Sequence, residues 1–82
     1  MEERKYEREV RKRAKQITAE QIAEFRKGVA DTIRGYNKTQ NGVFFDEEYI
    51  HHEAYVYLSD KEVADMIARE QTPEEYADMI TM

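Results

Sequence analysis

Three times along the chain a serine or threonine is followed three residues later by glutamate or glutamine: Thr18 and Gln21, Ser59 and Glu62, Thr72 and Glu75. In such a pair the hydroxyl accepts a backbone N–H of the first turn, and the longer side chain reaches back to the N–H of the capping residue. Both donors would otherwise be orphaned at a helix start. One pair alone is weak evidence. Here each is followed by apolar residues at helical spacing, so three helix starts are encoded. Pro73 strengthens the third, because the first helical position needs no N–H. Ile17 with Ile22, and Leu58 with Val63, add hydrophobic staples to the first two.

Around these starts the periodicity predicts the helices. Residues 2–16 place Tyr6, Val10, Ala14 and Ile17 on one side. Residues 19–36 carry the stripe Ile22, Phe25, Val29, Ile33 and Tyr36. In one straight helix the two stripes would be out of phase by roughly 140°. A break at Thr18 is therefore expected. Gly28 permits close helix packing, and Gly35 helps end the second helix before a turn-rich loop, Asn37 to Gly42.

Residues 43–58 read two ways. As a helix, Asp46 caps it, Phe45 staples onto Ile50, and Ile50, Ala54, Tyr57 and Leu58 face inward. As a strand, Ala54, Val56 and Leu58 alternate against Tyr55 and Tyr57. Residues 60–70 form a further helix with Val63, Met66 and Ile67 inward. Residues 73–81 form the last, with Tyr76, Met79 and Ile80 inward. The expected fold is mainly α, a small bundle of four or five short helices in one domain over 1–82. The alternative is α+β with a small hairpin within 43–58.

With 82 residues and one leucine, Leu58, the core is modest. Chains of this size bury only about 60–65% of their unfolded surface. Six tyrosines must place hydroxyls at the core's edge or at an interface. The absence of cysteine excludes disulfides, thiolate metal sites and a cysteine nucleophile. No apolar run reaches the roughly 18 residues of a membrane span. The start of the chain lacks an apolar signal segment, so a cytoplasmic location is expected.

The net charge of −5 conceals a division. Residues 1–40 carry 11 basic and 7 acidic side chains; residues 41–82 carry 2 and 11. A basic helix at about 2–17 thus precedes an acidic half at about 43–82. The two halves can attract each other within the fold, or present poles to partners of opposite sign.

Candidate sites follow from that division. Arg4, Arg8, Arg11 and Lys15 lie within roughly 60° on a helical wheel, opposite the apolar stripe. The stripe is either a solvated face or a surface for phosphates or an acidic protein. Glu7 to Arg11 and Glu9 to Arg13 are i,i+4 pairs in the favourable order. On the acidic side, Glu47, Glu48, Tyr49, Glu53, Tyr55, Tyr57, Glu74, Glu75 and Asp78 form a candidate partner-binding face. Residues 58–80 have the rhythm of a helix-turn-helix. Their second helix, however, carries Glu74, Glu75 and Asp78 and no base, which phosphates would repel, so a structural helical hairpin is expected. His51 and His52 point about 100° apart on a helix and do not converge on one metal. Pairing Glu47 with His51, or Glu48 with His52, supplies only two ligands where structural zinc takes four.

No nucleophile motif or phosphate-cradling loop is present, so neither catalysis nor a cofactor is expected. The reading is a small protein-binding protein, with an anti-CRISPR-like inhibitor of phage or mobile-element type as its specific form. Its partner would be a protein with a basic nucleic-acid-binding surface, reached through the acidic, tyrosine-bearing face. The alternatives are a nucleic-acid-binding accessory protein using the basic helix and a homo-oligomeric module.

Overall fold

The computed structural model describes the backbone of residues 2–39 and 44–81 and the side chains of residues 5–38 and 44–81. Helix α1 spans Glu2–Gln16 and α2 spans Ala19–Thr39. Helix α3, Glu47–His51, runs on into a π-helical turn, His52–Val56. Helices α4, Asp60–Ala68, and α5, Pro73–Thr81, complete the chain. Five α-helices and no strand occur among the described residues, so the stretch read two ways is helical over 47–56.

The starts of α2, α3, α4 and α5 carry their expected caps. Thr18 Oγ1 accepts the Gln21 N–H at 3.2 Å while Gln21 Oε1 accepts the Thr18 N–H at 2.9 Å. Ser59 with Glu62 and Thr72 with Glu75 repeat this reciprocity. Asp46 Oδ1 accepts the Tyr49 N–H at 2.8 Å. Phe45 stacks on the Tyr49 ring and packs against the same core as Ile50.

Helix α2 is the spine. Phe25, Val29, Ala30 and Ile33 pack against Ile50, Ala54, Leu58, Val63, Tyr76 and Ala77 from the four elements laid along it. Gly28 lets α5 come close: a Cβ there would stand 2.8 Å from Cβ and Cγ of Pro73. By contrast, among the described elements α1 packs on α4 alone. The radius of gyration, 14.2 Å, accordingly exceeds the roughly 12 Å of a compact chain this size.

Several expectations need correction. Gly35 does not end α2, which runs on to Thr39. Asn37 belongs to that helix, donating to the Phe45 carbonyl at 2.7 Å and accepting its N–H at 2.8 Å. The expected loop at 40–42, with Val43, lies outside the described residues. Tyr57 is 63% exposed. The π turn bonds the Tyr57 N–H to the His52 carbonyl, an i→i+5 closure. It takes up roughly one residue more than an α turn and brings Leu58, not Tyr57, into line with Ile50. Tyr6 and Met79 are also exposed. Tyr6 faces out because α1 has only one neighbour. Met79 does so because α5 meets α2 along Pro73, Ala77 and Ile80.

Helices α4 and α5 do not form a hairpin, since each packs on α2 instead. The turn between them closes with the Gln71 N–H on the Met66 carbonyl and the Glu70 N–H on the Ile67 carbonyl. This pattern requires a left-handed residue, and Glu70 takes it at φ 63° without being glycine.

Candidate functional site

Among the described residues, four ion pairs join the two halves of the chain. The most buried uses Arg26, which donates to the Ala54 carbonyl at 3.0 Å and to Asp60 at 2.8 Å. Ala54 sits where the helix runs out, so its carbonyl lacks a partner further along the chain. Arg26 supplies one and ties α2 to the start of α4. Sequence reasoning passed over Arg26. Its signal was position: it falls within the widened stripe Ile22, Phe25, Arg26, Val29, Ala30, Ile33, as a lone cation at core spacing.

Arg34 binds Glu47 through Nε at 3.0 Å, with Asp31 on its other side. Those carboxylates raise its pKa, the Glu47 hydrogen bond most of all. Arg69 grips Glu7 with both terminal nitrogens, at 3.2 and 2.9 Å, and Asp65 through Nε at 2.8 Å. The hydrogen bond to Glu7, then that to Asp65, raises its pKa further still. Arg13 donates to the Ala68 carbonyl at 3.2 Å and lies near Glu9 and Glu70.

Among the described residues the basic stripe of α1 takes no part in these ion pairs. Glu9 and Arg13 pair as expected. Glu7 does not reach Arg11, because Arg69 holds it. Arg8, Arg11 and Lys15 are exposed and form no ion pair among the described residues; Arg4's side chain lies outside them. Lys5 and Lys12, which were not singled out, are likewise exposed and form no ion pair among the described residues.

The predicted acidic face divides into separate sites. Glu47 is engaged by Arg34, and Glu75 by the Thr72 cap. Glu74 and Asp78 flank Tyr36. Burial, then the charges of Asp78 and Glu74, raise the Tyr36 pKa. Glu53 lies near Tyr49 and Tyr76 at the core's rim. Burial first, then Glu53, raises both phenols, and Glu62 adds to the effect at Tyr76.

The remaining residues cluster on α3 and the π turn. Glu48 is exposed, Tyr55 is 42% exposed and Val56 is 53% exposed, beside the protruding Tyr57. Each tyrosine stacks on a histidine: His51 on Tyr55 with centroids 5.3 Å apart, His52 on Tyr57 at 5.6 Å. His52 Nδ1 lies 2.7 Å from the Glu48 carbonyl. A carbonyl only accepts, so Nδ1 carries the proton. Among the described residues no three metal-ligating side chains converge, and no helix is long and apolar enough to cross a membrane.

Comparison with known proteins finds no matching family, no similar curated protein and no similar solved structure.

Proposed function

We propose that this is a non-catalytic protein-binding protein whose contact surface is centred on the π turn. The observation that carries the reading is the exposed run Tyr55, Val56 and Tyr57, with both rings already stacked on His51 and His52. Ordered, exposed aromatics lose little entropy on binding and are the side chains that most often anchor interfaces. Glu48, exposed on the helix that runs into the π turn, adds a negative charge to these surroundings. Such a surface suits a partner with a basic nucleic-acid-binding groove, reached by fast, salt-sensitive association. An inhibitor of a nucleic-acid-targeting defence protein, of the anti-CRISPR kind, is one protein of this description.

A parallel capture from native host lysate, with and without nuclease, tests this reading. We expect one stoichiometric protein to survive nuclease and to be lost on Tyr55→Ser with Tyr57→Ser. Its binding to nucleic acid should be blocked by the wild-type chain. Partners that vanish with nuclease would instead favour binding of nucleic acid by α1. That second reading has its own support in Lys5, Arg8, Arg11, Lys12 and Lys15, which are exposed and form no ion pair among the described residues.

A further inference from the structure

Between α1 and the start of α4 lies a groove of 790 Å³. Ala14, Leu58, Ala64, Met66 and Tyr76 form its apolar floor, and Tyr57 stands at its edge. Six charged residues line it in equal numbers of each sign, but their states differ. Of the carboxylates, Glu7 and Asp65 are held by Arg69 and Glu62 by the Ser59 cap. The cations Arg11, Lys15 and Lys61 are exposed and have no ion pair among the described residues.

One arginine causes this imbalance. Glu7 stands four residues before Arg11, and Lys61 four before Asp65; either pair can bridge along its own helix. Arg69 reaches both carboxylates first, with a two-pronged grip on Glu7 that a single i,i+4 contact does not match. Arg11 and Lys61 are left without counter-charges above an apolar floor.

We propose that this groove docks an acidic peptide segment bearing apolar side chains, contributed by a protein partner. Its carboxylates meet Arg11, Lys15 and Lys61, and its apolar groups cover Leu58, Ala64 and Met66. A nucleic-acid strand is the poorer match. Its phosphates would run past Glu7, Glu62 and Asp65, whereas a peptide also brings amide donors to those oxygens. The groove shares Tyr57 with the surface on the π turn, but the proposal rests on Arg11, Lys15, Lys61, Leu58, Ala64 and Met66, none of which is varied to test that surface.

The test is fluorescence anisotropy with a labelled peptide of glutamates interrupted by one phenylalanine and one leucine. Comparison probes are polyglutamate and an oligothymidine of the same charge. The mixed peptide is expected to bind more tightly than either. Arg11→Glu and Lys61→Glu should each weaken it about tenfold, while Arg8→Glu, the same charge change on α1 outside the groove, leaves it within about twofold. Circular dichroism confirms that each variant folds, and Arg11→Gln gives a milder version of the same loss.

Equal losses from Arg8→Glu and Arg11→Glu would overturn the proposal in favour of diffuse attraction to α1. Tighter binding of oligothymidine would assign the groove to nucleic acid. Concentration-dependent dimers in light scattering that Lys61→Glu abolishes would assign it to a second copy of the chain.

Discussion

Around α2, Phe25, Val29 and Ile33 interlock with apolar residues from four other elements, and Arg26 closes the edge. Along the seam between α1 and α4, Val10, Ala64 and Ala68 are buried in a narrow strip outside that core, flanked by Arg69 with Glu7 and Arg13 with the Ala68 carbonyl. The first region rests on apolar burial, the second on a few side chains held in place by charge-assisted hydrogen bonds. Burial by several neighbours resists opening as a unit, whereas a helix with one neighbour can open alone. The seam is therefore where the fold can yield without unfolding, and it is also one wall of the groove.

Substitutions at equally buried residues separate the two regions most sharply. Ile33→Ala should destabilise the whole chain by about 3 kcal/mol in urea unfolding, because it leaves a cavity at a fully buried position of the α2 core. Val10→Ala removes two methyl groups, worth about 1.5 kcal/mol, from the seam. Hydrogen exchange should then rise through α1 alone, with α2 protected as before. Loss of protection in both helices would show that the seam and the core open together.

The glycines of α2 offer a second contrast. Gly28→Ala drives a methyl against the rigid ring of Pro73 and should destabilise by about 1–2 kcal/mol despite the better helix former. Gly35→Ala meets nothing within 4 Å and should stabilise by about 0.5–1 kcal/mol. Thermal melts that move in the same direction for both would contradict the close α2–α5 packing.

Solution conditions give the smallest and most selective effect. Tyr36, Tyr49 and Tyr76 have raised pKa values, chiefly through burial, and all pack against the α2 core. The folded chain thus keeps protons that the unfolded chain releases near pH 10. The stability they contribute is complete below about pH 10 and falls as pH rises further. Salt acts on the other region, screening the exposed pairs at Arg69 and Arg13. Alkali should lower the unfolding midpoint, whereas high salt at neutral pH should speed exchange in α1 and leave that midpoint nearly unchanged.

Much of the fold was legible beforehand because its signals are local. Thr18, Ser59 and Thr72 meet their partners three residues away, and Asp46 meets the Tyr49 N–H over the same distance. Nothing beyond one helical turn enters those bonds, so the sequence by itself determined where four helices begin. The stripe of α2 was legible for the same reason, and so was the helix over 47–56 once Asp46 was read as a cap.

The candidate sites were less legible, because competing local partners differ by only a few tenths of a kcal/mol. Glu7 had Arg11 one turn away and took Arg69, 62 residues distant. Arg26 found the Ala54 carbonyl across 28 residues, beside the π turn that shifts Tyr57 outward and Leu58 inward. Which charges remain free, and which tyrosines face solvent, was decided only by the tertiary structure. Near-equal local pairings are settled by whichever distant partner the packing of α1 on α4, and of α2 on the π turn, brings within hydrogen-bonding reach.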